Sequence, residues 1–353
     1  MRLLISGGGT GGHLSPALAV AQALRAAHPE ADLLLVGRAG GPEERLVPLH
    51  GFALETIRIR GLNRDEPLRN LALPGVLPAA LVQGLRVVDR FRPDVVMGVG
   101  GYVMAPAIAA ARLRGVPYVL QVSEARGLAN RLFRPGASAA CVTFPEDVEA
   151  FRTPRTVLTG YPLRPGFTRR VPEAPARRLL IIGGSQGARR LNEAVWGSVE
   201  ALLDAYEEVV HLTGRQGEDA AAALVRPGYR PIAFSDDMPG LLAAADLAVC
   251  RAGVGTCAEV TAVGLPAVVV PGTFGGGHQE HNADILVRAG AAVRIGDADL
   301  TPDTLVDTLR SLSAARLREM AEASASLGRP EAAQAIVDLL EDVAGGRALE
   351  AVR

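Results

Sequence analysis

Two stretches of this chain share one pattern, in which a short apolar run leads into a glycine-rich turn and then into helical spacing. The first is LLISGGGTGGHLSPALAV at residues 3–20, and the second is LLIIGGSQGARRLNEAV at residues 179–195. Apolar strands that alternate with helices are typical of a parallel, doubly wound sheet. The repeat predicts an α/β protein with two similar domains facing a cleft, where ligands bind beyond the carboxyl ends of the strands.

The stretch at residues 161–178 separates these halves, and it is rich in proline and arginine with little periodicity. Such a composition is typical of an interdomain linker. We therefore expect domains at 1–162 and 163–334, and a C-terminal helix at 335–353 that returns to the first domain. The predicted strands lie near residues 3–6, 32–36, 94–97, 118–121, 140–143 and 156–158, and then near 179–182, 209–212, 231–234, 247–250, 267–270 and 292–295.

Composition narrows the functions that are open to this chain. Its 353 residues carry a net charge of −1 and only 4% aromatic residues, which argues against a nucleic-acid partner. The sequence contains no lysine, so a P-loop lysine or a Schiff-base lysine is excluded. Three scattered cysteines favour a reducing cytoplasm, and we expect neither a signal peptide nor a transmembrane helix.

Glycine turns that lead into helices are candidate anion sites, because backbone N–H groups and the helix dipole both favour negative charge there. A third turn, GVGGY at residues 98–102, follows another predicted strand. The alternative is that these glycines only allow tight strand–helix packing. A dinucleotide site is disfavoured, because GGGTGGH does not fit GxGxxG and the second strand ends in LLLVGR without an acidic residue.

The densest group of polar and glycine residues is CRAGVGTCAEVTAVGLPAVVVPG at residues 250–272. Thr256 and the glycines before it stand at a predicted helix start, which suits a diphosphate. Glu259 could accept both hydroxyls of a ribose, or it could be an ordinary glutamate near a helix N-terminus. Histidines in GGGHQEHNA (275–283) lack a convincing third metal ligand, so we expect no metal site. Asp297-Ala298-Asp299 is interpreted as a loop that leads to a Thr301 N-cap and Pro302.

Five of these segments, in this order, resemble the MurG family of bacterial UDP-N-acetylglucosamine-dependent glycosyltransferases. They are GGTGGHLSPALAVAQAL (8–24), DVVMGVGGYVMAPA (94–107), GLANR (127–131), GGSQGARRLN (183–192), and DDMPGLLAAADLAVCRAG with AEVTAVGLPAVVVP (236–271) and HQEHNA. The resemblance implies a GT-B fold, with the acceptor in the first domain and the nucleotide sugar in the second. It also implies inverting transfer of GlcNAc from UDP-GlcNAc to the 4-hydroxyl of MurNAc in lipid I, which gives lipid II and UDP without a cofactor.

The family's functional residues can be transferred to matching positions of this sequence. The resemblance implies that Arg251 and the loop at 234–238 lie near the uracil, and that Glu259 holds the ribose. Further donor contacts are implied for Thr10, Gly11, Gly12, Arg164, Gly184, Ser185, Ser235, Val254, Gly255, Thr256, Gln279 and Asn282. Acceptor contacts are implied for Gly9, Thr10, Gly100, Gly101, Tyr102 and Glu124. The segment QVSEARGLANR departs from the family's pattern, and Tyr161 stands where asparagine is usual.

His13 at the end of the first glycine loop is the predicted general base, because imidazole suits proton transfer at neutral pH. The alternative is that it positions an acceptor phosphate.

A lipid-linked acceptor implies peripheral binding to the inner face of the cytoplasmic membrane. The arginine- and leucine-rich stretch 58–92 fits such a docking surface, although an ordinary half-buried helix fits equally. Other interpretations left open are another GT-B enzyme (a glycolipid transferase or UDP-GlcNAc 2-epimerase), a non-catalytic binding module and an NAD dehydrogenase.

Overall fold

The computed structural model describes residues 1–9, 11–61, 73–123, 127–184, 186–273 and 277–346. The chain divides into two compact units. The first comprises Met1–Pro165 together with Glu331–Arg353, and the second comprises Gly166–Pro330. The acceptor and donor roles of these two units stay a prediction.

Each unit is built from parallel strands alternating with helices. The strands are β1 (Arg2–Ser6), β2 (Asp32–Arg38), β3 (Ala53–Ile57), β4 (Val95–Gly98), β5 (Tyr118–Val122), β6 (Ala139–Val142), β7 (Thr156–Leu158), β8 (Arg178–Ile182), β9 (Glu208–Leu212), β10 (Tyr229–Ile232), β11 (Leu247–Cys250), β12 (Ala267–Val269) and β13 (Ala292–Arg294). The helices are α1 (Gly11–Ala27), α2 (Glu43–Leu49), α3 (Leu73–Phe91), α4 (Ala105–Arg114), α5 (Leu128–Phe133), α6 (Pro145–Ala150), α7 (Arg189–Trp196), α8 (Val199–Leu203), α9 (Glu218–Ala222), α10 (Met238–Ala244), α11 (Val254–Val263), α12 (His278–Arg288), α13 (Pro302–Arg310), α14 (Ala314–Leu327) and α15 (Ala332–Ala344).

Both sheets reverse their strand order once. The first sheet has the order β3-β2-β1-β4-β5-β6-β7, and the second has the order β10-β9-β8-β11-β12-β13. The reversal falls between β1 and β4 in the first sheet and between β8 and β11 in the second. Loops that leave neighbouring strands at such a point diverge to opposite faces and open a crevice, where ligands bind in open α/β sheets. The glycine turns after β1, β4 and β8 therefore stand at the two reversal points.

Apolar strands buried on both faces explain why the sheets form. In β1, Leu3 and Ile5 pack on one side with residues of α1 and α15, whereas Leu4 packs on the other side with residues of α3 and α4. Such strands favour a sheet covered by helices on both faces. The same principle builds the second unit, where Leu179 and Ile181 of β8 join the core cluster.

The C-terminal helix α15 packs against α1 within the first unit. Its apolar face enters the core through Ile336 and Leu340, which are fully buried. A carboxylate oxygen of Glu341 lies 2.6 Å from Nε2 of His28 at the end of α1. Arg155 and Asp342 of α15 form an ion pair, with 3.4 Å between nitrogen and oxygen.

Every predicted strand overlaps a strand of the structure, but two details differ. The edge strand β3 was not predicted, because ALETI contains polar Glu55, which is half-buried, and polar Thr56, which is exposed, and has no continuous apolar run. The strand expected at 231–234 is β10, which spans Tyr229–Ile232. Phe234 therefore lies beyond the strand and is exposed. No helix among the described residues is long and apolar enough to span a membrane.

Candidate active site

The first candidate region lies at the carboxyl ends of β1 and β4, where His13 meets the GVGGY turn. The His13 ring packs directly on the backbone of that turn. A Cβ atom built on Gly100 would lie 2.9 Å from Cδ2 of His13, and one built on Gly101 would lie 3.4 Å from Nδ1. A side chain at Gly100 would therefore displace the imidazole, whereas one at Gly101 would lie in van der Waals contact with it. The glycines of both predicted acceptor motifs are thus brought together around His13.

Tyr102 lies on the same side of this region and borders Gly9. A Cβ atom on Gly9 would lie 3.6 Å from the Tyr102 hydroxyl oxygen. The Tyr102 ring packs against Gly61, where a Cβ atom would approach ring carbon Cδ1 to 2.6 Å. The predicted acceptor residues Gly9, Gly100, Gly101 and Tyr102 are therefore neighbours in the structure.

A buried acidic side chain, Glu43, supports the first glycine loop. Its Oε1 accepts a hydrogen bond from the Gly9 N–H, and Glu43 is only 1% exposed. A Cβ atom on Gly8 or Gly41 would overlap the Glu43 carboxylate, so these glycines make room for it. Oε2 of Glu43 is buried and has no hydrogen-bond partner among the described residues. Since the Gly9 N–H is already used, this loop has one donor fewer for a phosphate than its sequence indicates.

Tyr161, the departure from the family's pattern, also supports this loop. Its side chain is buried, and its hydroxyl group donates a hydrogen bond of 2.9 Å to the Gly12 carbonyl oxygen. The tyrosine thereby connects the chain after β7 with the first turn of α1.

Three predicted site residues, Thr10, Glu124 and Ser185, lie outside the described residues.

The second region begins at the glycine loop after β8, which packs backbone against backbone on the loop after β9. A Cβ atom on Gly214 would overlap the nitrogen and Cα of Gly187, and one on Gly187 would overlap the Thr213 carbonyl oxygen. The amide nitrogen of Asn192, on α7, donates to that same carbonyl oxygen at 2.8 Å. The predicted donor residue Gly184 has φ of +84° and open space where a Cβ would stand.

A buried polar chain continues from Asn192 into the core of the second unit. Nε2 of His211 lies 3.1 Å from Oδ1 of Asn192, and Nδ1 lies 2.8 Å from the Tyr229 hydroxyl. Because Asn192 Oδ1 only accepts, Nε2 carries the proton and Nδ1 accepts from the tyrosine. Burial lowers the pKa of His211 to about 3, so the imidazole is neutral at physiological pH. This hydrogen-bonded network could not be predicted from the sequence pattern, because its three residues lie on different elements, β9, β10 and α7.

The loop after β11 ends at the N-terminus of α11, which holds the predicted diphosphate site. The Cys257 N–H donates to the Gly253 carbonyl at 2.9 Å, and this is the first hydrogen bond of the helix. The N–H groups of Val254, Gly255 and Thr256 precede it and have no acceptor within the helix. All three residues are half-buried, as is Glu259 farther along the helix. An anion at this end would therefore meet three N–H groups and the positive end of the dipole.

Three further predicted donor residues hold neighbouring loops in place through backbone atoms. Asn282 is buried and donates through Nδ2 to the Ala252 carbonyl at 2.9 Å. Gln279 accepts the Gly272 N–H through Oε1 at 2.8 Å. Arg251 turns toward the ends of β12 and β13, where Nη1 donates to the Val270 carbonyl at 3.1 Å and to Oδ1 of Asp297 at 2.5 Å.

Other predicted donor residues do not belong to this group, and among them Gly11 and Gly12 begin α1 of the first unit. Ser235 follows β10, which is separated from β8 by β9, and its Oγ accepts the Asp237 N–H at 3.1 Å. Arg164 belongs to the first unit. The interpretation of residues 297–302 as a loop and cap is confirmed, because Thr301 caps α13 and Pro302 occupies its first turn. It did not foresee that Asp297 pairs with Arg251.

Family models and named relatives match nearly the whole of this chain. The model of the glycosyltransferase family 28 N-terminal domain matches residues 3–140, and that of the family's C-terminal domain matches residues 178–339. A Desulforudis audaxviator protein named UDP-N-acetylglucosamine--N-acetylmuramyl-(pentapeptide) pyrophosphoryl-undecaprenol N-acetylglucosamine transferase is 40% identical, covering 98% of this chain and 99% of its own. A protein of the same name from Nocardioides sp. is 41% identical over 93% of this chain and 94% of its own.

The crystal structure of Acinetobacter baumannii MurG matches 97% of this chain and 99% of its own, with a TM-score of 0.78 and 30% identity. The chain belongs to the MurG family. The calicheamicin glycosyltransferase CalG4, at 19% identity and a TM-score of 0.72, shares the fold alone. The predicted fold class, two doubly wound Rossmann-like units of GT-B type, is thereby confirmed. As a member of this family, the chain is a hexosyltransferase.

Proposed function

We propose that this protein transfers GlcNAc from UDP-GlcNAc to the 4-hydroxyl of MurNAc in lipid I, giving lipid II and UDP in peptidoglycan synthesis. The observation that carries the proposal is 40% identity, over nearly the whole of both chains, to a transferase named for this reaction. The reaction is an inverting displacement, in which the acceptor oxygen attacks the anomeric carbon as the bond to UDP breaks. It needs a base for the acceptor proton and stabilisation of the leaving diphosphate, and no metal ion.

The second unit binds the donor. The N-terminus of α11 receives the diphosphate through the N–H groups of Val254, Gly255 and Thr256, which stabilise the charge that develops on UDP. Glu259 accepts the ribose hydroxyls. Gln279 and Asn282 present their remaining amide atoms to the sugar, because one amide atom of each already holds a loop. The Gly184 turn lies beside this site, since β8 and β11 are neighbours.

The first unit binds the acceptor, and His13 removes the proton from its hydroxyl. His13 is half-buried, and its imidazole packs against the backbone of Gly100 and Gly101, which restricts the orientation of the ring. A base held in this way needs little reorganisation when the proton moves. Gly9 and Tyr102 line the same region and are assigned to the acceptor's diphosphate and sugar.

The experiment that tests the reaction measures UDP release from UDP-GlcNAc in EDTA, with and without a soluble lipid I analogue. We expect release that requires the acceptor, survives EDTA and falls by about 100-fold or more in His13→Ala. His50→Ala is the matched control, because His50 is an exposed histidine of the same unit. Acceptor-independent release would favour another nucleotide-sugar enzyme, and UDP binding without any release would favour a binding module.

We also propose that the protein acts at the cytoplasmic face of the cell membrane as a peripheral protein. Within the described part of stretch 58–92, Leu77 is 49% exposed and Val82 is 46% exposed on α3. Leu113, Leu128 and Leu132 add exposed apolar area on α4 and α5, and α4 packs against both α3 and α5. Apolar side chains among arginines suit a surface that enters an anionic bilayer.

Vesicle pelleting tests the membrane proposal. We expect liposomes with anionic lipid to pellet the protein, and we expect Leu73→Asp combined with Leu77→Asp to abolish pelleting. Val171→Asp is the control, because Val171 is 90% exposed and lies in the second unit. Unchanged pelleting of the double variant would overturn this assignment of the surface.

A further inference from the structure

Asp297 lies between two arginines of the second unit, one in the loop after β11 and one at the start of α7. Its Oδ1 accepts a hydrogen bond of 2.5 Å from Nη1 of Arg251, and its main-chain carbonyl accepts one of 3.0 Å from Nη1 of Arg190. Oδ2 of Asp297 lies 3.8 Å from Nε of Arg190. The Asp297 and Arg251 side chains are 13% and 12% exposed, so water weakens this pair much less than it weakens a surface ion pair.

These contacts join the ends of four neighbouring strands. Arg251 follows β11 and stands three residues before α11, Arg190 lies in the first turn of α7 after the β8 loop, and Asp297 follows β13. The Arg251 side chain crosses the end of β12, where it also donates to the Val270 carbonyl at 3.1 Å. One carboxylate therefore connects the two loops that border the proposed diphosphate site.

We propose that Asp297 is a positioning residue for the nucleoside diphosphate of the donor. It fixes the Arg251 guanidinium along the edge of the sheet, and with it the chain that leads to the N–H groups of Val254 and Gly255. This inference rests on the proposed function, because it assigns UDP to the N-terminus of α11. Without the carboxylate, the Val270 carbonyl is the one hydrogen-bond partner that Arg251 keeps among the described residues, and the loop loses its connection to β13.

The first test is the Kd of UDP, measured by calorimetry on the full chain. We expect Asp297→Ala to raise the Kd by about 10- to 100-fold, since small displacements of binding groups have effects of that size. Asp297→Glu keeps the charge and should recover part of the affinity. Asp299→Ala is the matched control, because it removes the same charge from the same loop and Asp299 makes no ion pair with Arg251 in the structure.

A merely structural role is excluded by two further measurements. In an Arg251→Ala background, Asp297→Asn should change the Kd of UDP by less than about twofold, because the group through which Asp297 acts is gone. The KM of the lipid I analogue should stay unchanged in Asp297→Ala while the KM of UDP-GlcNAc rises. Arg190→Ala, at a side chain that is 52% exposed and so can be removed without unfolding the unit, should weaken UDP binding in the same direction by a smaller factor.

If the wild type binds UDP and Asp297→Ala binds it equally well or more tightly, this inference is overturned and the proposed function is left intact. An equal loss of affinity in Asp299→Ala would overturn it as well, because loop charge alone would then account for the effect. A wild-type protein that does not bind UDP at all would overturn both the proposed function and this inference.

Discussion

The two glycine loops at the reversal points of the sheets look alike in sequence but are supported by opposite chemistry. Beneath the first loop lies the buried carboxylate of Glu43, which takes the Gly9 N–H. Beneath the second loop lies a neutral network, in which Asn192 is joined to His211 and Tyr229. A negative charge reduces the attraction of a loop for an anion, whereas a neutral amide does not. The same strand–glycine–helix pattern can therefore be suited to different ligands.

The largest effect should come from breaking the close backbone packing of the second loop. Gly214 has φ of +73°, and a Cβ there would overlap Gly187. We expect Gly214→Ala to lower the free energy of unfolding by about 4 kcal/mol or more, because both the backbone conformation and the packing are lost. Urea unfolding followed by circular dichroism measures this loss.

Gly184→Ala is the control for that change. Gly184 also has a positive φ, but a Cβ there would meet open space, so only the backbone strain of about 1 to 2 kcal/mol remains. Equal losses in the two variants would show that the loops after β8 and β9 are not tightly packed together.

The neutral support of the second loop should make stability depend on pH. The pKa of His211 is about 3 in the folded protein, against an ordinary value of 6.5. Between these values the unfolded chain binds more protons, so this stabilisation is complete above pH 6.5 and is lost as the pH falls. The slope should approach about 1.4 kcal/mol per pH unit.

Urea unfolding between about pH 7 and pH 5 lies above the usual carboxylate range, and variants separate His211 from the other histidines of the chain. His211→Gln should flatten the slope, whereas His50→Ala, at an exposed histidine, should not. A wild-type stability that stays level across this range would contradict a neutral, buried His211.

The fold could be predicted from the sequence to a larger extent than the supports of the site. Strands such as β1 and β8 are continuous apolar runs next to glycine turns, and local pattern is enough to locate them. The edge strand β3 is short and half polar, so its pairing with β2 depends on the tertiary structure.

The supports come from distant parts of the chain. Glu43 lies 34 residues from Gly9, and Asp297 lies 46 residues from Arg251. Neither acidic residue stands in a pattern that distinguishes it from a surface carboxylate, because each gains its role only when parallel strands bring their ends together. The motif glycines, in contrast, could be found from the sequence, because clustered glycines directly indicate a turn where another part of the molecule or a ligand approaches the backbone closely.

The smallest effects should come from changing the acidic support of the first loop. Glu43→Gln keeps an oxygen for the Gly9 N–H and should cost less than about 1 kcal/mol of stability, whereas Glu43→Ala leaves that donor unpaired and should cost about 1 to 3 kcal/mol. We also expect Glu43→Ala to raise the KM of the lipid I analogue several-fold and to leave the Kd of UDP unchanged.

Glu44→Ala is the matched control, because Glu44 also accepts a glycine N–H, from Gly40 at 2.9 Å, but is exposed to water that can replace it. If Glu43→Gln were as damaging as Glu43→Ala, the charge of Glu43 and not its hydrogen bond would support the loop. If Glu43→Ala improved acceptor binding, the freed Gly9 N–H would be serving the acceptor's phosphate. The first loop would then be an anion site that the Glu43 carboxylate partly blocks. The two loops would both bind anions and would differ only in their affinity for them.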